Sequence, residues 1–323
     1  MIEAKSITKF FSVVNEKGLA EGLTAVLNVS LTIPDGKIVS LLGPSGCGKS
    51  TFLEILAGLQ APTDGEIRID GKRVLEPLPS TRKEMEAYKR RYRFISPLAN
   101  GVFRDRPKND IAMIFQDYAV FPWMTAIQNM IFALKLRNAD RRSIDRQFTD
   151  RHFIDKHSSG GEKKAGLSRK ELSEKARFYL NQVGLGGAEY KYPSQLSGGM
   201  RQRLALARAL SVEPKIILMD EPFAAVDALT REKLQDDLLR LWEKTKAASF
   251  PVIIVMVTHD VSEAVYLSDE VVIFSPSPGS IRNRIPIDIP RPRARTDPAM
   301  IEIQDRIFAM FQYDLNQESE YSI

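Results

Sequence analysis

A chain of 323 residues, 43% of them hydrophobic and 27% charged, can bury a full core as one large α/β domain or two smaller ones, which excludes a disordered protein. Its single cysteine, Cys47, excludes an internal disulfide and a thiolate metal cluster and suits a reducing compartment. The formal charge of +5 is concentrated in three segments, with nine Lys/Arg against three acids over 80–108, seven against four over 141–164 and five against one over 282–295, so the remainder is net acidic.

Segments that basic are either solvated surface or contacts for nucleic acid or anionic lipid headgroups. No apolar run approaches the roughly 20 residues of a membrane-crossing helix. The N-terminal residues 1–5 show no basic stretch leading into an apolar one, so no secretory signal is expected and the cytosol is the default compartment.

Residues 1–70 read as an antiparallel β edge, with Phe10 and Phe11 following a short first strand. Residues 37–42 (KIVSLL) are a short β-branched apolar run of the kind that forms a buried parallel strand. Directly after it, Gly43-Pro44-Ser45-Gly46-Cys47-Gly48-Lys49-Ser50 matches G-x-x-x-x-G-K-S, and Thr51 opens a stretch with helical apolar spacing. In that order the glycines let backbone N–H groups curl around phosphate oxygens and the helix start adds its positive end. Lys49 then reaches the β/γ-phosphates and Ser50 can ligate Mg²⁺, so ATP and Mg²⁺ are the expected cofactors.

Residues 215–220 (KIILMD) form a second buried-strand run that ends on Asp220, with Glu221 next. Carboxylates at a strand's C-terminal end face the ligand crevice of an α/β sheet, where Asp220 would hold Mg²⁺ and Glu221 would orient or deprotonate an attacking water. Adjacent acids can also simply end a strand. A third run, 252–258, leads into His259, an imidazole at the end of another core strand that could fix the water's geometry.

Residues 196–203 (LSGGMRQR), followed by 204–210 (LALARAL), resemble the signature of the ATP-binding cassette (ABC) transporter family. The order of phosphate loop, glutamine loop, signature, acidic strand and histidine switch is complete, and the resemblance covers nearly the whole chain. It implies that Ser197, Gly198 and Gly199 present N–H groups to ATP bound on a second cassette, in a head-to-tail dimer around two ATP molecules. It also implies that Gln116 senses Mg²⁺ and the water, that Phe11 stacks on adenine and that Asp227 links the two ATP sites. The segment after Gln116, with Phe121 and Trp123 exposed, would dock separate membrane permease subunits; ordinary packing between the subdomains is the other reading of either ring. Related importers commonly carry Gly and Leu where this chain has Ala225 and Val226, which bears on the flexibility of that loop.

Two stretches, about 75–109 and 138–167, read as basic, turn-rich insertions flanking the glutamine-loop segment. Tyr88, Tyr92 and Phe94 among the Lys and Arg give the first a faint nucleic-acid flavour. Ser158-Ser159-Gly160-Gly161-Glu162 in the second is a signature decoy, because no apolar residue precedes it and no R-Q-R helix follows; His152 and His157 beside it have no metal-pair spacing.

Residues 274–281 (FSPSPGSI) and 287–293 (IDIPRPR), with the Phe121-Pro122-Trp123 segment, resemble the nitrate, sulfonate, taurine and bicarbonate importer ATPases. The expected fold is α/β: a P-loop core over 1–110 and 211–290, a helical signature subdomain over 111–210 and a C-terminal tail over 291–323. The expected protein is the ATPase of an importer on the cytoplasmic face of the bacterial inner membrane, partnered by a second cassette, permeases and, indirectly, a solute-binding protein. Another transport system, or an ABC ATPase acting on ribosomes or DNA, is the rival reading. The missing heptad repeat between phosphate loop and signature, and the single phosphate loop, speak against the latter, so no nucleic acid is expected.

Overall fold

A computed structural model of the chain describes residues 1–14, 20–75, 111–149, 167–224, 226–247 and 251–320. The readings made for Tyr88, Tyr92, Phe94, His152, His157, the decoy at 158–162 and Ala225 lie outside them. The strands are β1 (Ile2–Val14), β2 (Ala20–Ile33), β3 (Ile38–Leu42), β4 (Asp64–Ile69), β5 (Lys72–Leu75), β6 (Ile111–Ile114), β7 (Ile216–Asp220), β8 (Ile253–Thr258), β9 (Glu270–Phe274) and β10 (Ile281–Pro286). The helices are α1 (Lys49–Ala57), α2 (Ala126–Thr149), α3 (Arg169–Gln182), α4 (Gly198–Ser211), α5 (Ala228–Ala247), α6 (Val261–Leu267) and α7 (Pro298–Glu320). The residues group into two units, one of Met1–Arg106, Leu218–Pro222 and Leu241–Ile323, the other of Pro107–Ile217 and Phe223–Arg240.

The first unit is α/β, as expected. Its outer sheet is antiparallel in the order β2-β1-β4-β5. Ile2 and Ala4 of β1 are buried while Lys5 is exposed, the alternation of a sheet with one covered face. In the inner sheet β3 runs parallel to both β8 and β9, and β10 closes the edge antiparallel to β9. Every residue of β3 and β8 is buried, which is why both read as unbroken apolar runs rather than alternating ones. Phe52 of α1 is fully buried with its ring 5.9 Å from that of Phe274; truncating so large a core ring costs about 3–5 kcal/mol.

At the C-terminal end of α5, Trp242 is buried, and its Nε1–H donates to the Val252 carbonyl at 2.8 Å. The ammonium of Lys246 lies 3.8 Å from the indole centroid and the guanidinium of Arg291 4.8 Å from it. The basic segment 282–295 is largely turned onto the protein itself: Arg284 pairs with Glu270 at 2.6 Å, and Arg291, Arg293 and Arg295 bind groups of this same unit. These side chains are already occupied, so the cationic surface expected here is smaller than the charge count implies.

In the second unit, α2, α3 and α4 pack against one another, and β6 lies against α4. Ser168 opens α3 with a capping box: its Oγ accepts from the Glu171 N–H, and the Glu171 carboxylate accepts from the Ser168 N–H. Leu172, Ala176 and Leu180, one helical turn apart, bury its apolar stripe. Glu213, just past α4, receives Lys175 at 2.6 Å and Arg137 at 3.0 Å. One expectation changes here. The basic stretch from 138 was read as turn-rich, yet α2 continues unbroken to Thr149, because Ala, Arg and Gln are good helix formers and a charged run is compatible with a helix.

Candidate functional site

The phosphate loop connects the end of β3 to the start of α1. Its crest, Pro44, Ser45 and Gly46, is exposed, while Gly43 and Cys47 on either side are buried. Gly48 caps α1 at φ 94°, and a Cβ there would fall 2.2 Å from the Ala25 carbonyl oxygen, so only glycine fits. Its carbonyl accepts the first helical bond, from Phe52 N–H at 2.9 Å. Lys49 is buried within the loop, its ammonium donating to the carbonyls of Gly43 at 2.8 Å and Pro44 at 2.7 Å, with Cys47 Sγ at 3.5 Å. The Cys47 side chain thus points into the fold, and what it can offer a phosphate is its backbone N–H.

A second chain segment supports this loop from behind. Gly279 donates its N–H to the Ala25 carbonyl at 3.1 Å and accepts from Leu27 N–H at 2.8 Å. A Cβ at Gly279 would lie 1.9 Å from the Cys47 carbonyl oxygen. The sequence gives this residue no role in the site; it enters only as part of the 274–281 stretch that resembles the importer ATPases.

At the end of β7 the acidic pair meets the loop. Ser50 Oγ donates to Asp220 Oδ1 at 2.9 Å. Burial pushes the Asp220 carboxyl above its usual range, with Glu221 adding to the rise and the bond from Ser50 and the charge of Lys49 opposing it. Glu221 adopts φ 45° and its N–H donates to the Val257 carbonyl at 3.0 Å. From the end of β8, His259 places Nδ1 3.4 Å from Glu221 Oε1, and its ring is 61% exposed. Lys49, Ser50, Asp220, Glu221 and His259 therefore come together at one end of the inner sheet.

The oxygen donors of Ser50 and Asp220 suit a hard cation. Among the described residues no group of three or more His, Cys, Asp or Glu could hold a metal. A pair of protein oxygens fits Mg²⁺, which keeps waters and substrate phosphates as its other ligands.

In the second unit, Gln116 is exposed in a turn at 116–119. Tyr118 and Ala119 both have positive φ, and the Arg208 guanidinium of α4 donates to their carbonyls at 3.0 and 2.7 Å. The same guanidinium lies 5.6 Å from the Phe121 ring centroid. Buried Asn129 shapes the following segment, donating to the carbonyls of Phe121, Met124 and Thr125 at 3.0–3.2 Å and accepting from Phe121 N–H at 2.9 Å. Trp123 is 69% exposed. Phe121, expected to be exposed, is half-buried, packed between Trp123 and Phe132 at centroid distances of 5.6 and 5.0 Å.

Ser197 caps α4, its Oγ accepting from Met200 N–H at 3.3 Å, with Gly198 and Gly199 forming the first turn. Exposed N–H groups at a helix start are what an anionic phosphate requires. Asp227 accepts from Thr230 N–H at 3.0 Å, a bond that holds its carboxyl below the usual range. Phe11 lies on β1 with the Lys9 ammonium 4.9 Å from its ring centroid.

The family model for the ABC transporter matches residues 26–224. The chain is 36% identical to the aliphatic sulfonates import ATP-binding protein of Bacillus licheniformis, over 93% of this chain and 92% of that one. It is 34% identical to the nitrate import ATP-binding protein of Synechocystis, over 94% of each. Among solved structures, a dimeric ATP-binding cassette in a post-hydrolysis state, bound to ADP and Pi, superposes with a TM-score of 0.62 at 27% identity, covering 90% of this chain and all of that one.

Proposed function

The chain belongs to the ABC transporter family as an ATP-binding, ATP-hydrolysing subunit, and on that premise we propose that it powers a bacterial importer for a small solute of the nitrate, sulfonate, taurine or bicarbonate kind. The observation that carries the hydrolytic reading is the approach of His259 Nδ1 to Glu221 Oε1 beside the phosphate loop. Similarity to sulfonate and nitrate import proteins along nine-tenths of both chains supports the importer reading.

In this mechanism Gly43 to Thr51 cradle the phosphates of ATP through backbone N–H groups, Lys49 and the hydroxyls, and Phe11 stacks on the adenine. Ser50, Asp220 and, by way of the glutamine loop, Gln116 would hold Mg²⁺, which would supply positive charge to offset that of the phosphates. Glu221 orients the attacking water and accepts its proton, and His259 keeps the carboxylate and the γ-phosphate in register. Ser197, Gly198 and Gly199 of a second cassette close over the γ-phosphate, and Asp227 links the two sites. The helical subdomain over 111–210 then transmits closure and opening through Phe121 and Trp123 to separate permease subunits. The protein would sit peripherally on the cytoplasmic face of the inner membrane.

Substituting Glu221→Gln tests the hydrolytic assignment. The expected result is a loss of turnover of about 100-fold or more with ATP binding retained and an ATP-bound dimer accumulating on gel filtration; unchanged turnover sinks it. Co-purification from detergent-solubilised membranes tests the transport assignment, where permease subunits support it and ribosomes or DNA contradict it.

A further inference from the structure

The arginines of the Pro290-Arg291-Pro292-Arg293 run, with Arg295, converge on one short helix. Arg293 is 7% exposed. Its Nη1 donates to the carbonyls of Val265 at 2.8 Å, Tyr266 at 3.0 Å and Ser268 at 2.7 Å; its Nε and Nη2 reach Ile289 and Ile287 at 3.0 and 3.2 Å. Arg291 donates to the Leu267 carbonyl and to Asp269 Oδ1, both at 2.6 Å. Arg295 lies 3.7 Å from the Tyr266 ring centroid. All three therefore grip the last turn of α6 or the residues just after it.

A helix end leaves carbonyls without intrahelical partners and carries partial negative charge, which a guanidinium with its fork of donors can answer. Ordinary helix ends are closed more cheaply, by a glycine or asparagine in the left-handed conformation. Burying a cation is costly unless it is fully hydrogen-bonded, so a buried arginine at the end of a helix of only seven residues needs a reason. Burial pushes Arg293 down to about 10, with the neighbouring charge of Arg291 adding to the fall, and it remains a cation at neutral pH.

The other end of α6 supplies that reason. Its N-cap is Asp260, which accepts from Glu263 N–H at 3.1 Å and directly follows His259. A helix this short spans about 10 Å and moves as one rigid piece, so whatever fixes its C-terminal turn also fixes where His259 leaves the sheet. The clasp also reaches the strand that leads into the phosphate loop, because Asp269 Oδ2 accepts from Ile38 N–H at 2.8 Å.

We propose that Arg293, flanked by Arg291 and Arg295, is a positioning residue for ATP hydrolysis: by anchoring α6 it holds the His259 imidazole at its working distance from Glu221. This inference rests on reading His259 as part of the hydrolytic site. The nearest alternative is that the clasp only fastens the C-terminal segment and serves stability alone.

The two are separated by steady-state ATP turnover of the full chain for the parent, Arg293→Met, Arg293→Lys, His259→Ala and the Arg293→Met/His259→Ala double variant. Arg293→Met is expected to lower kcat about tenfold and leave KM for ATP within about twofold, with Arg293→Lys recovering part of the loss. Because Arg293 acts through His259, the double variant should be no slower than His259→Ala alone. A folded Arg293→Met with parental kcat overturns the inference, as do losses that multiply in the double variant. Should Arg293→Met fail to fold, Arg293→Lys alone and combined with His259→Ala gives the same comparison. If His259→Ala keeps parental turnover, the reading of His259 itself is wrong and the inference falls with it; if His259→Ala is slow while the Arg293 variants are not, only the clasp is refuted.

Discussion

The backbone N–H of Glu221 donates to the carbonyl of Val257 at 3.0 Å, which pins the acid just past β7 to β8, the strand that His259 directly follows. Glu221 occupies φ 45° to make this bond, a conformation that costs a non-glycine residue about 1 kcal/mol and that asparagine tolerates better. Glu221→Asn should therefore keep or slightly raise Tm while turnover falls about 100-fold, since the shortened side chain withdraws from His259. Calorimetry and phosphate release on the same preparation check both halves, and a joint fall in Tm and turnover contradicts the reading.

Gly279 offers a test of the phosphate loop from a distance. Alanine there would set a Cβ 1.9 Å from the Cys47 carbonyl oxygen, so the loop must shift. Gly279→Ala should weaken ATP binding about tenfold or more, read by titration with a fluorescent nucleotide. Binding at parental affinity would show that Gly279 does not set the loop.

Cys47 is 1% exposed, and the Lys49 ammonium stands 3.5 Å from its sulfur. Sequence alone suggests a thiol that nucleotide shields. The geometry sharpens this, because the fold already covers the thiol. Alkylation by maleimide should be slow even without nucleotide, at least about 100-fold slower than in the denatured chain, and slower again with ATP. Rapid labelling of the native protein would contradict the burial.

Burial pushes the Asp269 carboxyl up, but the Ile38 N–H and the Arg291 guanidinium outweigh it and hold the group below its ordinary value of 3.8. The folded protein thus binds fewer protons here than the unfolded chain. The stabilisation is present in full above the ordinary carboxylate range and is lost as pH falls through the folded value. Asp269→Asn should lower stability at neutral pH by about 3 kcal/mol and flatten the fall in Tm between about pH 5 and 3. Thermal melts across that range measure both, and an unchanged acid slope would remove Asp269 from the account.

The phosphate loop, the signature helix and the acidic strand end could all be read in the sequence because each is a local pattern, a strand, turn and helix start in consecutive residues. The antiparallel sheet over the first seventy residues was legible for the same reason. Gly279, Asn129 and Arg293 were not recognised, since their significance lies in contacts with Cys47, with the carbonyls of Phe121 and Met124, and with those at the end of α6. No periodicity encodes such pairings. The resemblance gives Phe121 a docking role and so implies an exposed ring, whereas Phe132 and Arg208 cover it from elsewhere in the chain. The helix past residue 138 was missed because its arginines masked the apolar spacing that identifies a helix.

Trp242 and Trp123, the chain's two tryptophans, sit in opposite surroundings, one 2% exposed with its Nε1–H bonded to Val252, the other 69% exposed at the surface proposed to dock a permease. Intrinsic fluorescence should accordingly resolve into a blue emitter shielded from acrylamide and a red one open to it. With no label added, quenching of the red component would report occupancy of the docking surface, and the blue one would report the packing of Lys246 and Arg291 over the indole.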